Sequence, residues 1–254
     1  MKYNLYSNKF FKDFSKTAEE SAKELVPLFI KIFKPNSVID LGCGLGFFIK
    51  SFIENGILDV CGIDGDWVPL EDLVIPKEVF IAKDLTIDLD IGRKFDVAIS
   101  LEVAEHIPSD KVKIFLKNLE KCSNNIIFSA AIPYQGGTGH CNERWQSFWV
   151  NYFKHSGYYF IDVRPIIWNN HKIANYYRQN LLIFTKSESI KNEFYKNFYK
   201  NFDIYILDIV HPEIWQAKVD PSYISIKEYL FKFPQVLLAF LKRKINNFIN
   251  KFLK

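Results

Sequence analysis

The residues best suited to chemistry are two histidines set among carboxylates and glycines. His106 closes the run Glu102-Val103-Ala104-Glu105-His106, and His140 ends the glycine-rich stretch Gln135-Gly136-Gly137-Thr138-Gly139-His140. Histidine gains and loses a proton near neutral pH, so it is the usual general base for a hydroxyl. A neighbouring carboxylate such as Glu105 can orient the ring or raise its basicity by charge pairing. His140, His106 and Glu105 are therefore the candidate catalytic set. His140 is slightly favoured because its loop is long and polar, as a substrate lid is. Each histidine also has a plain reading: His106 could pack or cap a helix start, and His140 could be a mere loop residue. A divalent metal held by some of Glu102, Glu105, His106 and His140 is the competing device. The linear spacing shows no compact ligand motif, and no metal is expected. Arg178, in Tyr176-Tyr177-Arg178-Gln179-Asn180, is a candidate for phosphate or carboxylate recognition, with surface solvation as the equal alternative. Trp145 and Trp149 stand four residues apart on an expected helix, where one packs in the core and the other could face a ligand.

A second group of residues points to a nucleotide-like ligand. The run Val38-Ile39-Asp40-Leu41-Gly42-Cys43-Gly44-Leu45-Gly46-Phe47 reads as a strand, a turn with glycines at alternate positions, and a helix start. Glycine is needed where a backbone turns sharply or a ligand approaches closely. A dinucleotide fingerprint would place its last glycine at position 47, where Phe47 stands. Asp64 ends the next strand, and a carboxylate there can accept both ribose hydroxyls of an adenosine. The ribose contact alone fits NAD or S-adenosylmethionine equally. Asp40 tips the balance, because an acid just before the glycines repels a pyrophosphate but suits the cationic amino group and sulfonium of S-adenosylmethionine.

These residues need a scaffold. Ser15–Phe33 carries apolar residues at helical spacing and stops at Pro35. Short apolar strands are expected at Ser37–Leu41, Asp59–Asp64, Val79–Ala82, Phe95–Ser100, Asn125–Ile132, Tyr158–Val163 and Leu181–Lys186. Helices are expected at Phe47–Asn55, Asp110–Cys122 and Trp145–His155. Strands alternating with helices imply an α/β, doubly wound and mostly parallel seven-stranded sheet. The last two strands lie close together, separated by Pro165–Asn180 with little helical pattern, so an antiparallel closing strand is expected. Beyond residue 186 the pattern becomes aromatic and helical. The chain is read as a domain over 1–186, with its core at 37–186, and a helical C-terminal appendage over 187–254.

In order and spacing, Asp40–Gly46, Asp64, Asp84-Leu85 and Ser100–Ile107 resemble the successive motifs of class I S-adenosylmethionine-dependent methyltransferases. The resemblance spans Ser37 to Lys186. It implies S-adenosyl-L-methionine as cofactor, with the Gly42, Gly44 and Gly46 loop near its methionine part and Asp64 on its ribose. It further implies Asp84 at the adenine amino group, Leu85 beside the ring, and Leu101 and Glu102 on the methionine side. Gly136–Trp145, Tyr177–Leu182 and Val210-His211-Pro212-Glu213 are similar to methyltransferases found with bacterial capsule and lipopolysaccharide pathways. That similarity implies O-methylation of a sugar, as a nucleotide-linked or lipid-linked precursor.

Composition narrows the partners. The net charge is only +4. Seven Lys/Arg against one Glu lie between Lys227 and Lys254, so the rest of the chain carries a small negative charge. A near-neutral body is not built to grip nucleic acid phosphates. The cysteines Cys43, Cys61, Cys122 and Cys141 form no CxxC pair and read as free thiols of a reducing compartment. Met1–Lys12 lacks an apolar stretch, so no secretory signal is expected, and no run is long enough to span a membrane. The expected location is cytoplasmic, with peripheral contact at the inner membrane surface as an option. The tail supplies that option: Leu237, Leu241, Ile245, Phe248 and Phe252 recur at helical spacing among Lys242, Arg243, Lys244 and Lys251. Such a helix can lie on an anionic membrane, pack on its own body, or form a homodimer contact.

Overall fold

Short, continuously apolar segments become strands when both faces of a sheet are covered. The computed structural model describes residues 8–198 and 207–219, with isolated positions at 233–234, 237–238 and 242. Among them are seven strands: β1 (Ser37–Leu41), β2 (Asp59–Asp64), β3 (Phe80–Ala82), β4 (Val97–Leu101), β5 (Asn125–Ser129), β6 (Tyr159–Ile161) and β7 (Leu182–Thr185). They form one sheet in the order β3-β2-β1-β4-β5-β7-β6. Every pairing is parallel except those of β7, which runs antiparallel to both β5 and β6. The expected sheet is present, with its antiparallel strand inserted one place in from the edge.

The helices are α1 (Asn8–Phe33), α2 (Phe47–Glu54), α3 (Val112–Cys122), α4 (Gln146–His155), α5 (Arg164–Ile167), α6 (Asn175–Asn180), α7 (Glu188–Phe198) and α8 (Pro212–Val219). Alternate strand residues feed two separate cores. Ile39, Ala98, Ile126 and Phe184 pack with Phe115 and Leu119 of α3 and Trp149 and Phe153 of α4. Val38, Val97, Ile127 and Ile183 pack on the other face with Leu25 and Phe29 of α1, Ile49 and Phe52 of α2, and Phe194 of α7. Truncating a fully buried aromatic such as Phe52 or Phe153 to alanine costs about 3–5 kcal/mol.

Two departures from the sequence reading have physical causes. The segment 165–180, expected without helices, contains α5 and α6. At four and six residues they are too short to show a periodicity or to be stable alone. Burial holds α6 instead, since Tyr177, Arg178, Gln179 and Asn180 are all buried. The first compact unit also runs to Ile209, and the second is Val210–Lys254. Helix α7, past the expected boundary at 186, docks Phe194 into the core of the first unit. Buried Arg164 ties down the chain near the end of that unit: its Nε and Nη2 bind both oxygens of Asp162 at 2.8 Å, and Nη1 donates to the Leu207 carbonyl at 2.8 Å. In the second unit, α8 opens with Glu213 N donating to His211 Nδ1 at 3.3 Å. The basic amphipathic tail lies outside the described residues, apart from the isolated positions named above. No described helix is long and apolar enough to cross a membrane. The four cysteines are free.

Strand order reverses between β1 and β4, because the chain runs outward through β2 and β3 before returning. In open α/β sheets that switch point opens a crevice at the carboxyl ends of the strands, where ligands bind. The Leu41–Gly46 turn, the Leu101–His106 turn and the long loop after β5 all end there.

Candidate active site

The glycine turn is built by its own geometry. Gly42 and Gly46 have φ of 91° and 92°, in the left-handed region that side-chain-bearing residues avoid. A Cβ on Gly42 would come within 2.3 Å of Val103 Cγ2, and one on Gly46 within 2.7 Å of Ile75 Cδ1. Asp64 braces the turn, its two oxygens accepting from Gly44 N at 2.8 Å and Gly65 N at 2.6 Å. Burial pushes its carboxyl upward against these two hydrogen bonds and a third from the Trp67 side chain.

A cavity of about 280 Å³ opens beside the turn. Its near end is lined by Asp40, Gly42, Gly44 and Leu45, and α1 reaches it with Ser15 and Ala18. Asp40 is buried, and its carboxyl is pushed up to about 8, first by burial and then by the negative charge of Asp64. A carboxyl so placed calls for a cationic ligand. Phe48 stands edge-on to Tyr177, with ring centroids 5.6 Å apart, and both rings line the cavity.

The far end holds Leu101, Glu102, Glu105, His106, Gln135 and His140. Glu102 has a left-handed backbone, φ 56°, a strained conformation for a residue with a side chain. Its carboxylate accepts from Asn180 Nδ2 at 3.2 Å and Gln135 Nε2 at 3.4 Å. Gln135 Oε1 in turn accepts from Asn180 Nδ2 and Gln179 Nε2, both at 3.0 Å. This amide network joins the β5 loop to α6. Glu105 is fully buried, and its carboxyl makes no well-aligned hydrogen bond, only loose approaches to the Glu102 carboxyl and the Ala131 backbone. Burial, and then the charge of Glu102, pushes its carboxyl well above the usual range.

The rings of His106 and His140 meet edge to face, with centroids 4.8 Å apart. Burial lowers His106 to about 4, with the neighbouring His140 adding to the effect. His106 is thus uncharged at neutral pH and, alone, a weak base. His140 Nδ1 lies 2.9 Å from Glu143 Oε1, which turns Nε2 to the other side. Glu143 also accepts from Tyr134 N at 2.8 Å and Gly136 N at 2.7 Å, so one carboxylate shapes the whole loop. The loop is tied to the Glu105 turn, because Cys141 N and Asn142 N donate to the Glu105 carbonyl at 2.9 and 3.0 Å.

The structure brings most of the expected residues together, but not all. Asp40, Gly42, Gly44, Leu101, Glu102, Glu105, His106 and His140 line one cavity. Gly46 and Asp64 stand behind the turn and support it. Asp84 and Leu85 are not in this lining. Asp84 is exposed, its Oδ1 accepting from Thr86 N at 2.8 Å in a tight turn, and Leu85 packs in the core. Arg178 is corrected: it is buried and donates from Nη1 to the Trp168 carbonyl at 3.0 Å, which makes it structural. Trp149 is a core residue, and Trp145 is 40 % exposed. The absence of a compact ligand motif is also corrected in three dimensions, since ligand atoms of Glu105, His106 and His140 lie within 4.8 Å of one another. The sequence reading missed Gln135, Glu143 and Asn180 as site residues. The spacing His140-x-x-Glu143 was the available signal for one of them.

A family model described as a methyltransferase domain matches residues 14–164, more than half of the chain. A search of curated proteins returns no match. Solved structures share the fold at low identity. Magnesium protoporphyrin IX methyltransferase (ChlM) from Synechocystis PCC 6803, with bound SAH, is 19% identical, with 72% of this chain and 89% of that one covered and a TM-score of 0.52. CalS10, an amino pentose methyltransferase from Micromonospora echinaspora involved in calicheamicin biosynthesis, with bound SAM, is 12% identical over 72% of this chain and 99% of that one, at a TM-score of 0.52. DesVI of Streptomyces venezuelae is 13% identical over 71% and 96%, at 0.53. The residues present fit S-adenosylmethionine: a buried carboxyl with no counter-ion among the described residues faces the cavity, and a glycine turn braced by a second carboxylate stands beside it. With the family model matched over most of the catalytic body, the chain belongs to the methyltransferase-domain family and is an S-adenosylmethionine-dependent methyltransferase.

Proposed function

We propose that the chain methylates a hydroxyl oxygen of a sugar, presented as a nucleotide-linked or glycan precursor of a bacterial surface polysaccharide. The observation that carries this reading is the far end of the cavity. Two imidazoles, a buried carboxyl and the Gln135–Asn180 amides line it, a set suited to a hydroxyl-rich acceptor. One neighbour of the same fold is described as an amino pentose methyltransferase, which supports a sugar acceptor. The resemblance over Gly136–Trp145 supports the surface-polysaccharide context.

The chemistry is a direct displacement. The acceptor oxygen attacks the sulfonium methyl, an O–C bond forms, and the S–C electron pair returns to sulfur. The donor brings its own leaving group, so the protein must align the two reactants and exclude water. Asp40 holds the donor's positive charge, and the glycine turn seats the methionine part. An un-ionised hydroxyl is a weak nucleophile, so its proton must be lost during attack. The Glu105–His106–His140 cluster stands where that happens. The test is mass spectrometry of a panel of nucleotide sugars incubated with enzyme and S-adenosylmethionine. A single added methyl group on a sugar hydroxyl is expected. Methylation of phenols or amines with every sugar untouched would overturn the reading.

A further inference from the structure

From the meeting of Glu105, His106 and His140 we infer a binding site for a divalent first-row transition ion, which holds and acidifies the acceptor hydroxyl. The inference rests on reading this cluster as the acceptor end of the cavity. Three features point to an ion. The first is the donor set itself: one carboxylate and two imidazoles, with ligand atoms within 4.8 Å of one another. An ion bound at about 2.0–2.2 Å needs donors roughly 3–3.5 Å apart, so modest side-chain rotations close the set. The second is Glu105. Its carboxyl is fully buried, lines the cavity, and makes no well-aligned hydrogen bond on either oxygen, only loose approaches to the Glu102 carboxyl and the Ala131 backbone. Leaving a buried carboxylate unsatisfied is costly, and ligation of a cation satisfies it. The third is the outer support of the imidazoles. A histidine that ligates a metal through one nitrogen usually donates the other N–H to a carboxylate or carbonyl. His140 turns Nδ1 to Glu143 Oε1 at 2.9 Å, and the His106 ring hydrogen-bonds the Gly139 backbone. His140 thereby keeps Nε2 for a ligand.

The site is built rather than accidental. Backbone bonds from Cys141 N and Asn142 N to the Glu105 carbonyl fix the loop on the turn. Asn142 Nδ2 adds a bond to the Ala104 carbonyl at 3.0 Å. Three protein ligands leave two or three coordination positions open, a pattern of metal sites that bind substrate. The open side faces the cavity. An acceptor with two adjacent oxygens, such as a vicinal diol, fills it as a chelate and presents one oxygen to the donor methyl. In the step, the ion-bound O–H breaks and its proton leaves to solvent. The oxygen takes the methyl from sulfur, and the S–C pair stays on the departing thioether. Two imidazoles favour manganese, cobalt or zinc over magnesium, which prefers oxygen ligands.

The test reads ion uptake on the full chain without donor or sugar, after chelator treatment and dialysis. Calorimetric titration with Mn²⁺, Zn²⁺ and Co²⁺, with Co²⁺ visible absorption alongside, should give one equivalent bound, at least tenfold tighter than Mg²⁺. Glu105→Gln, a near-isosteric change, and His140→Ala should each weaken binding by at least tenfold. His155→Ala, at a surface histidine, should leave it unchanged. No stoichiometric uptake, or equal affinity in all three variants, overturns the inference. So does full-rate sugar methylation by ion-free enzyme, which would leave the proposed function standing. Conversely, ion uptake by a chain that methylates no sugar defeats the function and keeps the site.

Discussion

Replacing Asp40 by asparagine should make the empty protein more stable and the cofactor-binding protein worse. The carboxyl titrates near 8 in the fold, against about 3.9 in an unfolded chain. Between those values the folded form holds a proton that the unfolded form has lost. Ionisation therefore favours unfolding, and stability declines as pH rises from about 4 to about 8. Each unit contributes up to about 1.4 kcal/mol, so the ceiling at pH 7 is roughly 4 kcal/mol, and relaxation of the site brings the expectation to about 2–4 kcal/mol. Asparagine does not titrate. At about 2–4 °C per kcal/mol for a chain of this size, Asp40→Asn should raise the melting temperature of the empty protein by about 5–15 °C at pH 7 and leave it little changed near pH 4. S-adenosylmethionine reverses the comparison. The wild-type protein must ionise Asp40 to bind the cation, so its affinity rises with pH up to about 8, and close to one proton is released per donor bound at pH 7. The variant should lose about 10–100-fold in affinity, the value of one or two charge-assisted contacts. Differential scanning calorimetry from pH 4 to 9, and titration calorimetry in buffers of different ionisation enthalpy, read both effects. A stability difference independent of pH, or a variant that binds the donor as tightly as wild type, refutes the reasoning.

Asp64→Ala removes the brace of the glycine turn and the proposed ribose acceptor together. The thermal shift produced by S-adenosylmethionine should disappear, and a preserved shift would place the ribose elsewhere. Glu143→Gln keeps an acceptor for His140 but removes its charge. It should lower kcat about 10–100-fold with donor affinity unchanged, as stopped-time assays and calorimetry would show; an unchanged kcat would reduce Glu143 to a loop brace. Removing the chain after Phe233 should abolish sedimentation with anionic vesicles or change the mass measured by light scattering. If neither moves, the basic tail acts on its own subunit alone.

Much of the cofactor end could be read directly from the chain because it is local. Val38–Phe47 carries its strand, its turn and its helix start in ten consecutive residues, and the glycines report backbone angles that other residues adopt only under strain. Asp64 followed from strand length alone. The acceptor end is assembled from three distant segments, so its partners could not be seen in advance. Glu105 and His140 are 35 positions apart, and only the meeting of the β4 turn with the β5 loop shows that their donor atoms converge. Asn180 was hidden for a related reason. It sits in a helix of six residues that exists because it is buried, and such a helix leaves no periodic mark. Arg178 misled because a cationic side chain in a polar segment invites a role in recognition, whereas it is buried and donates to the Trp168 carbonyl.

The position of β7 sets a timetable for the molecule. It is the last described strand in sequence, yet it lies between β5 and β6, and of the residues just before it Tyr176 and Tyr177 line the cavity while Asn180 holds Glu102. A growing chain that has reached β6 already contains the glycine turn, both histidines, Glu105 and Gln135, but not Asn180, the other amide that steadies Glu102. The full set of contacts around Glu102 therefore forms only once β7 has been made and has paired with strands on both sides.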